Sequence, residues 1–455
     1  MRNFNKNIEG LMQMLLVGNG KVITQDKDMP YIENGCIAVK DNVIIEIGKT
    51  EDIKTKYHYR EFLDAKGKVI MPGMVNTHHH IYSAFARGMP SKSSVPKNFT
   101  QILEGLWWKI DKALNLEDVK YSAYTTYIDC IKNGTTTIFD HHASQGAVRE
   151  SLFTIGEVSK ELGVRSCLCY EVSDRDGKDV MEDAVSENIE FMKKANSLED
   201  DMLRGMFGLH ASFTLSDETL YKCVEEKSNI NGGFHIHTAE GIDDLYDSLK
   251  KYGKRVVKRL MDFNILGEKT IAVHCIHVND GEIELLKETK TNVVHNPESN
   301  MGNAVGCSPV IEMIKRGVLL GLGTDGYTSD MFESLKVGNI IHKHNLCNPS
   351  VAWTEMPQML FENNRKISSE YFNKPVGVLK EGAHGDIIIV DYNPLTIMNE
   401  NNYDAHILFG MSGRNVETTI INGKVVMKDR KLVDIDEEKI YEKSRELSSK
   451  LWDRI

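Results

Sequence analysis

The chain has 455 residues, enough for about three domains of roughly 150 residues or for one barrel with a small companion domain. Lys plus Arg number 55 and Asp plus Glu 66, a formal charge of −11 that argues against nucleic acid or another polyanion as partner. Hydrophobic residues make up 41% and charged residues 27%, an ordinary folded mixture, and no apolar run approaches the roughly 18 residues a membrane helix needs.

The opening MRNFNKNIEG is polar where a signal peptide would be apolar, so a cytoplasmic location is expected. Residues 1–13 lack periodicity and are assigned no function. From Met14 to about Val69, short β-type runs (LLVGNGKVIT, GCIAVKDNVIIEIG, KGKVI) are divided by Gly, Asn and Asp turns, and the same texture returns in GDIIIVDYNP and ETTIINGKVVMKDRKLV, with a hairpin signal at Asn422-Gly423. The two ends are expected to build one small sheet domain together, residues 14–70 with 378–435. The final stretch, 436–455, carries Ile440, Leu447 and Leu451 at helical spacing and predicts an amphipathic terminal helix.

Between them, residues 71–377 alternate apolar runs with helix-like stretches such as ESLFTIGEVSKELG and DGEIELLKETK. Eight runs end in polar clusters: MPGMVNTHHH, GTTTIFDHH, RSCLCYEV, LRGMFGLHA, GGFHIHTAE, TIAVHCIHV, TNVVHNPESN and GVLLGLGTDG. Eight such units predict an α/β fold, a (β/α)8 TIM barrel whose chemistry sits at the C-terminal strand ends. Cys36, Cys130, Cys167, Cys169, Cys223, Cys275, Cys307 and Cys347 are dispersed with no C-x-x-C pair, and read as reduced thiols.

The histidines are not dispersed. His78 and His80 end the first run on one face, because strand side chains alternate, with His79 turned away. His237 ends the fifth run, ahead of Glu240 and in preference to the deeper His235, while His274 ends the sixth and Asp325 the eighth. Each alone is readable as a satisfied polar group or a turn residue, but in a closed barrel all of these tips face one mouth. Three imidazoles and a carboxylate (His78, His80, His237, Asp325) suit one divalent ion, Zn²⁺ or Fe²⁺, with a position left for water. Such a water has its pKa lowered to roughly 7. Asp325 can take its proton, Glu240 can deliver one to a ring nitrogen or leaving group, and His274 can hold the water or polarise the substrate. The fourth run has no Lys at its tip to bridge a second metal.

These residues resemble the amidohydrolase superfamily, in its aminohydrolase and chlorohydrolase branch, over about Met14 to Val433. The resemblance rests on PGMVNTHHH (72–80) with Arg87-Gly88, GTTT (134–137), HTAE (237–240), His274-Cys275, HNPESN (295–300) and GTDG (323–326). WWKIDKAL (107–114) and DHHAS (140–144) resemble the SsnA-type aminohydrolases, a group linked by name to selenium metabolism and related to purine deaminases. The resemblance implies His78, His80, His237 and Asp325 as ligands, Glu240 and His274 as the acid/base pair, and a sandwich from the chain ends. For the substrate it implies Asp111, a shorter acid where related deaminases keep a ring-gripping Glu, and His210, with His142 and His295 lining the same mouth. Each histidine is equally readable as a hydrogen-bond partner that fixes a ligand.

The function expected is metal-dependent hydrolysis of a C–N bond in a cyclic amidine, with deamination of a small purine-like N-heterocycle first. Hydrolytic ring opening uses the same machinery, dechlorination of a triazine-like ring ranks below both, and a non-catalytic metal-binding scaffold is the reading from another class. Proteins of this kind commonly form homo-oligomers, though no stretch identifies an interface.

Overall fold

The computed structural model describes residues 14–90 and 95–455, so the reading of residues 1–13 lies outside the described residues. Strands from both chain ends share one nine-stranded sheet. Its members are β1 (Met14–Ile23), β2 (Tyr31–Lys40), β3 (Val43–Lys49), β4 (Glu61–Asp64) and β5 (Val69–Pro72) from the first end. From the other end come β15 (Ile387–Val390), β16 (Val416–Ile421), β17 (Lys424–Lys428) and β18 (Lys431–Leu432). The junction is the antiparallel pair β5–β15. The hairpin signal is realised: Ile421 pairs with Lys424 across Asn422 and Gly423, whose φ of 53° and 73° are those of the turn that matches strand twist. Leu15, Val17, Ile37, Val39, Ile70, Ile387 and Ile420 pack together as the apolar core of this sheet. Within it β1 pairs in parallel with β4 and β5, an arrangement the apolar runs do not announce.

Among the described residues, the middle of the chain holds nine parallel strands: β6 (Met74–His79), β7 (Thr135–His142), β8 (Arg165–Tyr170), β9 (Leu203–Gly205), β10 (Phe207–Ala211), β11 (Phe234–Thr238), β12 (Ile271–His274), β13 (Asn292–His295) and β14 (Leu320–Leu322). They form two parallel runs, β6-β7-β8-β9 and β10-β11-β12-β13-β14. The fourth apolar run is therefore divided at Met206: β9 pairs with β8 and β10 with β11. Bonds cross the division, from Val172 N–H to Gly208 O (3.2 Å) and from His210 N–H to Val172 O (3.0 Å). A Cβ at Gly208 would lie 2.2 Å from Tyr170 O, so only glycine permits this approach. At the other margin, the N–H groups of Thr324 and Asp325 donate to His78 O (3.1 and 3.0 Å), and the Asn76 amide donates to Thr324 Oγ1 (2.7 Å). Val75, Phe139, Cys167, Met206, Ile271, Val273 and Val294 meet in one cluster drawn from strands around the whole series.

Helices follow the strands, among them Leu116–Asn133, Ser151–Leu162, Lys178–Ala195, Asp280–Glu288 and Met331–Asn345. The first begins in a reciprocal capping box between Asn115 and Asp118 and ends at Gly134 with φ 79°. The C-terminal helix Glu437–Arg454 buries Leu447 and Leu451. Its Trp452 Nε1 donates to Phe85 O (2.7 Å), tying it to the segment after β6. Among the described residues, no helix is long and apolar enough to cross a membrane.

Candidate active site and metal centre

The tips of β6, β11, β12 and β14 bring His78, His80, His237, His274 and Asp325 together. His80 Nε2 lies 3.2 Å from His237 Nε2 and 3.3 Å from Asp325 Oδ1. His274 Nε2 lies 3.5 Å from Asp325 Oδ2 and 3.4 Å from Glu240 Oε2. Ligand atoms of His78, His237 and His274 fall within 4.8 Å of one another, as do those of His78, His80 and Asp325. His79 points elsewhere, its Nε2 3.4 Å from Ser329 Oγ, as strand alternation requires.

Each imidazole is held by its other nitrogen. His80 Nδ1 donates to His141 O (2.6 Å) and His237 Nδ1 to His210 O (2.9 Å), while His274 Nδ1 pairs with Asn300 Oδ1 (2.7 Å) and His78 Nδ1 with His235 Nε2 (2.9 Å). A carbonyl accepts only, so the proton sits on Nδ1 and the Nε2 lone pair is free for a cation. The Nε2 atoms of His78 and His274 are buried with no hydrogen-bond partner, an expense a protein rarely carries without a ligand to meet it. Burial first, then the neighbouring imidazoles, drives His78, His235 and His237 well below the usual histidine range, so these rings are neutral and fit to bind a metal. The donor set fits a divalent ion that accepts nitrogen and oxygen together.

The backbone at these tips is unusual. Ala239, His274, Cys275 and Asp325 all have positive φ, 48°, 71°, 46° and 56°, a region side chains other than glycine seldom occupy. The Cys275 N–H donates to Thr238 O and Val273 O, and the Asp325 N–H to His78 O, which holds the chain there.

Above the cluster opens a pocket. Its aromatic wall includes Tyr82, Phe99, Trp107, Phe213 and Tyr327, and its polar lining includes His80, His237, Glu240, Asp325, His210 and Glu171. Burial, with Asp325 and Asp244 nearby, pushes the Glu240 carboxyl well above its ordinary value and favours the protonated acid.

Of the four substrate candidates, His210 lines the pocket. Asp111, His142 and His295 are not among its lining residues. Asp111 sits behind it with Oδ2 accepting from Arg175 Nη2 (2.9 Å). The His142 ring is wholly buried and pairs with Ser144 Oγ (3.0 Å). His295 pairs with His342 (Nε2 to Nε2, 3.0 Å) and approaches Asn300, the residue that holds His274. The sequence reading missed Glu171 and Arg175. Glu171 is the polar tip of RSCLCYEV, and its place there was the available signal.

The protein-family model for the amidohydrolase family matches residues 69–426. The 5'-deoxyadenosine deaminase of Methanosarcina mazei is 32% identical over 452 residues, covering 98% of this chain and 100% of that protein. The 5-methylthioadenosine/S-adenosylhomocysteine deaminase of Pelotomaculum thermopropionicum is 30% identical over 451 residues, 97% of this chain and 100% of that one. Among solved structures, an adenosine deaminase from Xanthomonas campestris with bound zinc superposes with a TM-score of 0.86 at 21% identity, covering 96% of this chain and 98% of that one. The atrazine chlorohydrolase of Arthrobacter aurescens TC1, complexed with zinc, gives 0.82 at 20% identity, covering 95% and 100%. These structures share the α/β fold. With the family model matched over most of its length and full-length relatives at 30% identity or more, the chain belongs to the amidohydrolase family.

Proposed function

We propose that this protein is a metal-dependent aminohydrolase that removes the exocyclic amine of a purine-like N-heterocycle. The observation that carries the reading is the convergence of four histidines and Asp325 at the strand tips, with Glu240 beside His274 at the floor of an aromatic pocket. Relatives spanning the whole chain are named as deaminases of adenine nucleosides, which supports the same class. The fold that serves it is a closed (β/α)8 barrel over residues 71–377. The bonds from Thr324 and Asp325 to His78 and across Met206 support closure. Residues 14–70 with 378–435 form the companion domain, a sandwich made by the terminal sheet folding over its own apolar core, and 436–455 is the terminal helix.

His78, His80, His237 and Asp325 would hold one divalent cation, Zn²⁺ by preference. That preference is supported by the imidazole-rich donor set and the zinc in neighbouring folds. Such an ion lowers the pKa of a bound water to roughly 7. The protein's own groups manage the protons. Asp325, fixed by the Ser299 hydroxyl (2.8 Å) and the Gly326 N–H (2.7 Å), takes the proton of the attacking water. Glu240, kept protonated by burial, passes its proton to the ring nitrogen, and the proton that Asp325 takes from the water goes on to the departing amine. His274, neutral and oriented by Asn300, holds the water or the developing oxygen. His210 faces the substrate from the pocket wall, whereas Asp111, His142 and His295 act by holding neighbours in place. The eight unpaired cysteines fit a reducing cytoplasm.

Mass spectrometry of products from zinc-loaded protein and a panel of aminated purines and pyrimidines tests the reading. Exchange of an amine for oxygen raises the mass by about one unit, whereas ring opening raises it by about 18. A gain of 18 would replace deamination with cyclic amide hydrolysis at the same residues, and no change with any member would overturn the proposal.

A further inference from the structure

Glu171 follows β8 directly and is anchored there, its N–H donating to His142 O (2.9 Å). Its Oε1 accepts from Arg175 Nη2 (2.7 Å), the same nitrogen that reaches Asp111 Oδ2 (2.9 Å). Arg175 is itself fixed: Nε donates to Ser173 Oγ (3.1 Å), and the guanidinium lies 4.7 Å over the Trp108 ring. The three ionic side chains are almost sealed from solvent, with exposures of 7% for Arg175, 2% for Asp111 and 4% for Glu171. One guanidinium thus faces two carboxyl groups. The next acid, Asp176, is answered by Lys112 (2.6 Å).

Two observations say this cluster is more than packing. A buried ion group is seldom worth its desolvation as a stabilising device, yet here one member opens onto the pocket. In addition, Asp111 Oδ1, Arg175 Nη1, Trp108 Nε1 and His141 Nδ1 are buried without hydrogen-bond partners. His141 Nε2 lies 3.0 Å from Leu209 O and 3.2 Å from His235 O, both acceptors, so the ring proton is on Nε2 and Nδ1 carries a lone pair. That lone pair lies 3.8 Å from Glu171 Oε2, too far for a bond between them. Of these two acceptors Glu171 lines the pocket, while His141 is buried and is not among its lining residues. The His141 ring packs against His237 (centroids 4.6 Å apart), whereas the end of β8, which Glu171 follows, is separated from the His274 tip on β12 by β9, β10 and β11.

We propose that Glu171, positioned by Arg175 and Asp111, selects the substrate by accepting a hydrogen bond from an N–H or O–H donor on the part of the heterocycle remote from the scissile carbon. This inference rests on the aminohydrolase reading for the orientation of the ring. Burial pushes Glu171 up to about 8, against the pull of Arg175. A donor from the substrate returns to the carboxylate the hydrogen bond that burial took from it. Asp111, one residue set further back, is spent on Arg175 and cannot play this part.

The test is binding and turnover by zinc-loaded protein with matched sets: purine bases, their 9-methyl derivatives and their nucleosides. Equilibrium dialysis gives Kd, and product mass gives turnover. Donor-bearing members are expected to bind wild type about 10- to 100-fold more tightly than the 9-methyl members, the loss typical of one hydrogen bond to a charged group. A base that outbinds its nucleoside identifies a ring N–H as the donor, and the reverse order identifies a sugar hydroxyl. In Glu171→Gln, with folding checked by thermal unfolding, the preference is expected to shrink to within about threefold. The wild-type comparison stands even if that variant is unstable. Equal binding of 9-methyl and donor-bearing members by wild type, or binding of none, overturns the inference. Deamination of 9-methyl members at the rate of the bases overturns it while leaving the aminohydrolase reading intact. Donor-dependent binding with no loss of amine does the opposite.

Discussion

Replacing His235 should loosen the metal without touching a ligand. His78 Nδ1 and His235 Nε2 are 2.9 Å apart, and both rings are wholly buried. With His78 Nε2 given to the proposed cation, its Nδ1 would carry the proton and donate it to His235. His235→Ala removes that acceptor and leaves an N–H unpaired in a dry interior, a cost of about 1–3 kcal/mol. The ring of His78 recovers part of this only by turning, which takes Nε2 off its line. Loss of such an orienting partner typically weakens metal binding about 10- to 100-fold, which is about 1.4–2.8 kcal/mol, so the two routes to the magnitude agree. The assay is competition for zinc against a chromophoric chelator at pH 7, with thermal unfolding of the metal-free protein as a control for folding. His235→Gln, which offers an amide oxygen as acceptor, should recover most of the affinity. A zinc affinity for His235→Ala within about twofold of wild type would refute the claim that this bond orients His78.

Three further outcomes are expected. Glu240→Gln should keep its zinc, measured by metal analysis, while kcat falls about 10²- to 10⁴-fold, because the amide cannot deliver the proton; normal turnover would remove Glu240 from the proton path. Asp386→Ala should lower stability by about 3–5 kcal/mol in urea denaturation, since it strands Arg165, wholly buried and 3.2 Å from that carboxylate, at the junction of β8 and the terminal sheet. The third concerns acid. Burial pushes the Asp201 carboxyl up, but His384 (2.8 Å), the N–H groups of Asn373 and Lys374, and Arg204 outweigh it and hold the group well below its usual range. A depressed folded-state pKa contributes stability above the unfolded value near 4 and loses it as pH falls below that. Wild-type stability should therefore fall steeply below about pH 4, and Asp201→Asn should show a flatter acid limb with lower stability at pH 7; parallel acid limbs would exclude Asp201 as the cause.

The strand tips were legible because strands buried on both faces read as apolar runs, and polar residues where such runs stop have few reasons to be there. His78, His80, His237, His274 and Asp325 stood out on that ground alone. The division of LRGMFGLHA at Met206 was not legible, since a break in hydrogen bonding leaves the apolar run intact. Nor was the fate of Asp111. It lies on the short helix Trp108–Ala113, and which neighbour takes a carboxylate on a helix depends on a chain segment 64 residues away that supplies Arg175. Glu171 escaped for a related reason. A single acid in YEVSDRDG looks like the start of a polar turn, and only the pocket shows that it faces the same space as His237 and Glu240.

The placement of backbone strain explains why the chemistry sits where it does. An ordinary strand end would run straight on and carry the next side chain to alternate faces. At His274, Cys275 and Asp325 the chain instead turns through the left-handed region, at a cost of order 1–3 kcal/mol for each residue. That turn bends the backbone away as soon as the functional side chain has been delivered, so the His274 and Asp325 side chains can reach the same point from β12 and β14 without their loops filling the pocket. Glycine at those positions would relieve the strain and delete the imidazole or the carboxylate. The cost is met instead by the bonds that hold each turn, from Cys275 N–H to Thr238 O and from Asp325 N–H to His78 O. Each of these bonds runs to a residue that is a neighbour of a proposed ligand or a proposed ligand itself. The strained turns and the ligand set are therefore one structure: loosening the bond at His78 O would move Asp325 and His78 together, and with them both edges of the metal site.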